Sequence, residues 1–148
     1  MENENIVFVN PRNLRLMDCS NPTDFPFYDF LQSDAQTDEQ TEETKYYKWY
    51  LAHIRKGSFR CRRTGEIKNE KDIMICLRDL LNLNEAVNKD PNYKNIPLIQ
   101  VFLDSDGQLR VLDGCHRTIC SIYYNDNHSK VILIPVSVID FKLKEAGK

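Results

Sequence analysis

Four ionisable or nucleophilic side chains stand together in the C-terminal half of the chain, on Asp113, Cys115, His116 and Arg117, with Gly114 among them. A glycine lets the backbone turn sharply and approach a ligand closely. If a helix begins directly after it, the first amides of that helix point outward and attract an anion. His116 and Arg117 would add donors there, since a guanidinium can grip two phosphate oxygens. We therefore predict a phosphate-binding turn.

The same residues allow a simpler interpretation, in which Asp113 caps the helix and His116 and Arg117 lie on its solvated first turn. Cations at a helix N-terminus oppose the helix macrodipole by about 0.3–1 kcal/mol each. That cost favours a bound anion as the reason for their placement. The residues alone leave both interpretations open.

The elements around the turn follow from hydrophobic periodicity and turn residues. A strand over 96–103 and a second over 108–112 form a hairpin that leads into the turn. A short helix follows, with Ile119, Ile122 and Tyr123 on one side. The near-continuous apolar run over 131–139 then predicts a strand buried on both faces.

The N-terminal half is predicted to hold a strand at 6–9 and an irregular segment at 18–27 with two prolines. Residues 33–44 are polar and acidic, which predicts a mobile loop. A helix over 45–56 carries an aromatic stripe that we expect to pack into the core. A second helix over 72–87 has apolar residues every three or four positions and buries one face.

Bulk composition supports one folded domain over 1–148, with an N-terminal extension at 1–71 and a core at 72–139. The net charge of −2 gives no overall attraction to polyanions. No apolar run reaches the about 20 residues that a membrane span needs, and the polar N-terminus lacks the order of a signal peptide. We expect a cytoplasmic protein with no membrane contact. The five cysteines form no zinc-binding or disulfide pattern.

The order of motifs resembles the ParB/sulfiredoxin superfamily. A strand Ile96-Pro97-Leu98-Ile99-Gln100-Val101 precedes the hairpin, the Asp-Gly-Cys-His-Arg turn follows, and Ile134-Pro135-Val136 lies in the closing strand. The resemblance covers residues 72–139, with a weaker similarity at 6–11. It implies a small α/β (α+β) fold, a mixed sheet with flanking helices.

Two branches of the superfamily imply different chemistry. The free-serine kinase branch implies that Asp113 orients a hydroxyl or binds Mg²⁺, while Gly114, Cys115, His116 and Arg117 hold the phosphates of ATP. The sulfiredoxin branch, with Gly-Gly-Cys-His-Arg, implies that Cys115 is the nucleophile that attacks a phosphorylated sulfinic acid. A thiolate is favoured near a helix N-terminus and a guanidinium. Asp113 and Cys115 are both catalytic candidates.

Further candidates stand outside the motif. Thr118 and Arg78 are predicted nucleotide contacts, with Asn82 an alternative to Arg78. The general base is unassigned, and Glu66 and Glu85 are the nominated residues.

A third interpretation is a ParB-like nucleic-acid module. It depends on a basic cluster around Phe59, namely Arg55, Lys56, Arg60, Arg62 and Arg63. A solvated basic loop is the simpler account, because the chain is acidic and no helix-turn-helix follows the motif. We therefore expect no nucleic-acid partner.

The sequence thus predicts a nucleotide-binding protein of this superfamily. We expect an ATP-dependent phosphotransferase that uses ATP or another nucleoside triphosphate with Mg²⁺ and acts on a small-molecule or protein acceptor. A sulfiredoxin-like sulfinic acid reductase using Cys115 and a ParB-like nucleotide-binding module are the alternatives.

Overall fold

The computed structural model describes residues 5–17, 19, 21–55, 59–61, 65–67 and 69–139. Its main elements in chain order are β1 (Asn5–Val9), α1 (Pro26–Gln32), α2 (Asp38–Glu42), α3 (Lys45–Arg55), β2 (Phe59–Cys61), β3 (Gly65–Ile67), α4 (Glu70–Lys89), β4 (Ile99–Leu103), β5 (Leu109–Asp113), α5 (Cys115–Asn127) and β6 (Ile134–Val138). Short 3-10 turns at Pro11–Asn13 and Pro22–Asp24 lie between β1 and α1.

The main sheet has four strands in the order β1-β6-β4-β5. β4 and β5 form an antiparallel hairpin, β1 is antiparallel to β6, and β4 and β6 are parallel. A parallel neighbour requires a crossover connection, and α5 provides it. The prediction of a small mixed sheet with flanking helices is confirmed, and the crossover is what places the start of α5 at the end of β5.

The predicted N-terminal extension contributes directly to this sheet. β1 is an edge strand, and Val7 and Val9 pair with Val136 and Ile134 of β6. β2 and β3 instead form a separate two-stranded sheet. The 72–139 segment therefore shares its sheet with a strand from outside its predicted limits.

The hydrophobic core lies between the main sheet and the helices. Alternation along β4 points one set of side chains inward, since successive residues in a strand face opposite sides. The fully buried members include Ile99, Val101, Val111 and Val136 from the sheet, Ile73, Cys76, Leu77 and Val87 from α4, and Ile119 and Cys120 from α5. The burial predicted for the closing strand is confirmed at residues 134–137. It is wrong at 131–133, which precede β6 and where Val131 and Leu133 are exposed.

The aromatic stripe of α3 also packs inward, as predicted. Tyr46, Tyr47 and Tyr50 are buried, and they meet Phe27 and Phe30 of α1 in the same core. α1 begins with Pro26, whose fixed φ and missing N–H suit the first position of a helix. The irregular segment predicted over 18–27 therefore ends before this proline.

The predicted mobile loop over 33–44 is wrong where α2 forms. Thr37 and Gln40 make a capping box, in which each side chain accepts a hydrogen bond from the other residue's backbone amide. Thr41 and Thr44 are buried despite their polarity, and both hydroxyls donate to backbone carbonyls one turn earlier. Local capping thus supports a helix in a segment whose composition suggests a loop.

α4 is the longest helix, with 20 residues. The side-chain oxygen of Asn69 accepts a hydrogen bond from the amide of Asp72 and so caps its N-terminus. Five residues on its inner face are buried, as predicted. Within the described ranges, no helix has both the length and the apolar character needed to cross a bilayer.

Candidate functional site

The structure contains the predicted turn, in which a strand is followed by a glycine and then by a helix. β5 ends at Asp113, Gly114 adopts φ 113° and ψ 31°, and α5 begins at Cys115. A Cβ at residue 114 would lie 3.0 Å from both the Arg117 Nη2 atom and the Ile99 Cγ1 atom. Only glycine combines this left-handed backbone with such a close approach.

The start of α5 has no side-chain cap. Gly114 occupies the N-cap position, and the Thr118 amide donates to its carbonyl at 2.9 Å as the first helical bond. The amides of Cys115, His116 and Arg117 belong to the first turn, where the helix itself supplies no acceptor. The simpler interpretation, in which Asp113 caps the helix, is wrong because Asp113 belongs to β5.

Asp113 and Arg117 form an ion pair across the turn. The Arg117 Nη2 atom lies 3.6 Å from Oδ2 of Asp113, beyond hydrogen-bond distance, and the side chains are 13% and 42% exposed respectively. The Arg117 Nη1 atom donates to the carbonyl of Pro97, just before β4. The guanidinium is thus held against the turn by a backbone carbonyl, while Nη2 faces the carboxylate side.

The imidazole of His116 points into the protein. Its Nε2 atom lies 2.8 Å from the Tyr46 hydroxyl. The ring packs edge-on against Phe27, with centroids 4.8 Å apart, and against Phe25 at 5.9 Å. Residues of α1 and α3 thus contact the ring, and its role as a phosphate binder stays a prediction. The backbone amide of His116 stays at the helix start.

Tyr46 is the centre of this aromatic cluster. It is fully buried and stacks on Trp49 with an interplanar angle of 19°. Its hydroxyl also lies 3.3 Å from the hydroxyl of Tyr50, which in turn accepts a hydrogen bond from the thiol of Cys76 at 3.7 Å. Burial strongly raises the pKa of Tyr50. The Tyr50 hydroxyl therefore stays protonated and acts as a neutral hydrogen-bonding partner.

Two further predicted contacts lie differently from expectation. Thr118 is fully buried, and its hydroxyl donates to the Gly114 carbonyl at 2.9 Å, so it stabilises the first turn. Arg78 is exposed on α4 and forms an ion pair with Asp38 of α2. Arg78 also lines a pocket of about 330 Å³ with α2, α3 and α4 residues, and the lining includes none of residues 113–117. The Thr118 hydroxyl is thus engaged by the backbone of the turn, whereas the described ion pair of Arg78 lies away from the turn.

Cys115 is the first residue of α5, and its half-buried side chain packs against the core. Cys120 lies on the same helix, but it is fully buried and burial raises the pKa of its thiol strongly. Among these two thiols, only that of Cys115 lies at the helix start.

The structure describes only one side chain among the nominated bases and the basic cluster. Glu85 is exposed on α4. The side chain of Glu66 lies outside the described residues, and so do those of the basic cluster at 55, 56, 60, 62 and 63. The general base and the nucleic-acid interpretation stay predictions.

Tyr93 is a residue that sequence reasoning missed. It is buried, and its hydroxyl donates to the Arg117 carbonyl at 3.0 Å and lies 2.6 Å from the Ser121 hydroxyl. It thereby fixes the first turns of α5 to the loop after α4. No local signal marks it, since the tyrosine and the carbonyl are 24 residues apart.

Comparisons with protein-family models, with curated proteins and with solved structures found no match to this chain. The superfamily assignment stays a prediction from the motif and its surrounding elements.

Proposed function

We propose that the turn at residues 113–117 binds the phosphates of a nucleoside triphosphate, and that the protein transfers the terminal phosphate to a small acceptor. One observation carries the proposal. The uncapped start of α5 at left-handed Gly114 stands between the carboxylate of Asp113 and the guanidinium of Arg117.

The backbone supplies the anion site in this proposal. The amides of Cys115, His116 and Arg117 point outward at the positive end of the helix dipole, which favours negative charge. Arg117 adds a charged donor through Nη2, while its bond to the Pro97 carbonyl holds the guanidinium in place. The His116 ring, engaged by Tyr46, fixes the helix start and leaves phosphate contact to its amide.

The transfer step needs one bond to form and one to break. The acceptor oxygen attacks the γ-phosphorus, the bond to the β,γ-bridging oxygen breaks, and the nucleoside diphosphate leaves with that electron pair. Arg117 and the amides of the helix start neutralise the charge that develops on the phosphoryl oxygens. Asp113 orients the acceptor hydroxyl. The base that takes its proton is unassigned.

A magnesium ion fits the donors at the turn. Mg²⁺ is usually bound by one or two carboxylates together with substrate phosphates, and Asp113 supplies one half-exposed carboxylate. In the described part of the chain, no group of three or more His, Cys, Asp or Glu side chains could hold a metal without the substrate. Magnesium bound there would neutralise phosphate charge.

A second candidate function rests on Cys115. Its place as the first residue of α5 puts the thiol where a helix start favours the thiolate. A sulfiredoxin-like reductase, in which this thiolate attacks a phosphorylated sulfinic acid, would use the same phosphate site. The two candidates therefore share the nucleotide and differ in the reacting residue.

Nucleotide binding is the first test. Addition of ATP with Mg²⁺ at a hundredfold excess over Kd should raise the melting temperature of the full chain by about 5–10 °C. Arg117→Ala should weaken binding at least about tenfold, because it removes a charged hydrogen-bond donor. Arg78→Ala is the matched control, an arginine whose described ion pair is with Asp38. If neither ATP nor CTP shifts the wild-type melting temperature, the proposal fails.

Nucleotide consumption with candidate acceptors separates the two chemistries. Asp113→Asn should abolish phosphate transfer and leave binding measurable, while Cys115→Ser should retain activity. The opposite pattern, loss only with Cys115→Ser, would reject the kinase reading in favour of the reductase. Circular dichroism on each variant excludes loss of fold as the cause.

A further inference from the structure

A polar pocket lies at the opposite end of α5 from the proposed phosphate turn. Its volume is about 530 Å³, and its lining consists of Arg12, Asn13, Leu14, Arg15, Asn21 and Gln108. Arg12 forms an ion pair with Asp126 in the last turn of α5, which locates the pocket. Because the 13 residues of α5 span about 20 Å, this Arg15 pocket is separate from the turn.

The backbone of the Arg15 pocket is fixed by the edge of the sheet. The Arg15 amide donates to the Leu109 carbonyl at 3.0 Å, and the Val111 amide donates to the Arg15 carbonyl at 2.7 Å. Leu14 is almost fully buried beside it. The side chain of Arg15 therefore projects from a strand-like segment whose backbone is fixed before any ligand binds.

The charges around the pocket leave one arginine in excess. The guanidinium of Arg12 lies 2.5 Å from Asp126. Arg110 is paired with Asp104 at 3.2 Å, and it also donates to the Leu16 carbonyl at 2.6 Å. Among the described residues, Arg15 has no such ion pair, and the pocket lining includes no carboxylate. Counted over the described residues alone, the lining therefore carries one unpaired positive charge, in a chain whose net charge is −2.

The remaining lining groups suit a hydrophilic ligand. The Asn21 side-chain oxygen accepts hydrogen bonds from the amide and hydroxyl of Thr23, so its NH₂ is the end that can donate to a ligand. The Asn13 and Gln108 amides can donate or accept, as sugar hydroxyls require. A volume of about 530 Å³ lies within the about 300–1,000 Å³ typical of small-molecule sites.

We propose that the Arg15 pocket binds a small phosphorylated metabolite, with Arg15 gripping the phosphate and the neighbouring amides contacting its polar body. A guanidinium matches phosphate oxygens in a bidentate arrangement. Since the pocket is distinct from the turn at 113–117, its occupancy does not require nucleotide binding there.

The test is an amide chemical-shift titration of the full chain, with inorganic phosphate, glucose 6-phosphate and glucose as probes. Glucose 6-phosphate should shift the amides of Asn13, Arg15 and Gln108 saturably, inorganic phosphate should do so more weakly, and glucose should not. Arg15→Gln should raise Kd at least about tenfold, because a charged donor is lost. Shifts confined to Gly114 and the first amides of α5, or equal shifts with glucose, would overturn the proposal.

Two further variants serve as controls, one against misfolding of Arg15→Gln and one against the loss of any exposed arginine. Gln108→Glu places a carboxylate in the lining without changing Arg15, and the described hydrogen bonds of Gln108 are made by its backbone amide and carbonyl, both with Asp104. It should weaken glucose 6-phosphate binding even if Arg15→Gln folds poorly. Arg78→Gln, an exposed arginine on α4, is the control that should bind as the wild type does. Unchanged binding by both Arg15→Gln and Gln108→Glu would refute the site.

Discussion

The two ends of α5 are stabilised in opposite ways. At the N-terminal end, Gly114 leaves the first turn without a side-chain cap, and His116 and Arg117 are held by Tyr46 and by the Pro97 carbonyl. The Tyr46 hydroxyl and the Pro97 carbonyl carry no net charge. No capping side chain offsets the positive end of the helix dipole. Asp113 approaches Arg117 only at 3.6 Å. This end keeps electrostatic capacity for an anion.

At the C-terminal end, charge is matched within the protein. Asp126 accepts hydrogen bonds from Arg12 and from the Tyr28 hydroxyl. Burial of Asp126 alone would raise its pKa, but these hydrogen bonds outweigh burial and hold the pKa below its ordinary value. Burial, with the bond to Asp126, raises the pKa of Tyr28 to about 12. Arg12 also places a cation beside the negative end of the helix, where it is favourable.

The contrast shows that the two ends of one helix can be stabilised by different kinds of contact. The C-terminal end satisfies its charges locally and anchors the N-terminal segment through Arg12 and Tyr28. At the N-terminal end, a hydroxyl anchors the His116 ring and a backbone carbonyl anchors the Arg117 guanidinium, with the carboxylate of Asp113 3.6 Å from Arg117. Three variants test the difference between the two ends of α5.

The largest effect is expected from Gly114→Ala. A left-handed backbone and contacts of 3.0 Å to Arg117 and Ile99 should together cost about 2–4 kcal/mol of unfolding free energy. Urea denaturation measures it. Gly107→Ala is the matched control, with φ 79° and nothing within 4 Å of the added Cβ, so it should cost about 1 kcal/mol. Equal costs for the two glycines would contradict the close packing at the turn.

A smaller effect is expected from Tyr46→Phe. This change removes the hydroxyl 2.8 Å from His116 and leaves buried polar partners unsatisfied, at a cost of about 1–2 kcal/mol. Tyr47→Phe is the control, because Tyr47 is buried on the same helix and its hydroxyl has no described hydrogen bond. If both variants lose the same stability, the contact with His116 contributes nothing.

The smallest effect is expected from Asp126→Asn. Asp126 has a lowered folded pKa, so the stability it contributes is present above its unfolded pKa of about 3.8 and is lost as pH falls through the lower folded value. At pH 7 the variant should lose about 0.2–1 kcal/mol, because the pair with Arg12 is half-exposed. The difference from wild type should vanish below the folded pKa.

Thermal unfolding from pH 2 to pH 7 checks this dependence. Asp106→Asn removes an exposed carboxylate in the β4–β5 turn whose side chain makes no described ion pair. Its melting temperature should follow the wild-type curve. If the melting temperatures of the wild type and Asp126→Asn differ by the same amount at every pH, the stabilising role of the Arg12–Asp126 pair is contradicted.

Helix and strand positions were predictable where the signal is local. The apolar spacing of α4, the aromatic stripe of α3 and the hairpin before the turn appear as expected. The loop predicted at 33–44 was wrong because its capping box at Thr37 and Gln40 was overlooked amid the acidic composition. The sequence carried that signal, and composition was the weaker guide.

Side-chain partners in the candidate site were not predictable. The His116 ring meets Tyr46 across 70 residues, and Arg117 meets Pro97 across 20. Thr118 is predicted to contact the nucleotide because it adjoins the motif, and Arg78 because of the family resemblance, yet the Thr118 hydroxyl donates to the Gly114 carbonyl and the Arg78 guanidinium pairs with Asp38. Proximity in the sequence does not determine the direction in which a side chain points.

By itself, the sequence determined the shape of the turn. Gly114 between a β-prone run and a helical repeat permits the left-handed backbone that starts α5, and this choice depends on neighbouring residues alone. The tertiary structure decided which donors face outward. Packing of α1 and α3 against α5 turns the His116 ring inward, whereas the amides of the first helical turn stay outward because helix geometry leaves them no other direction.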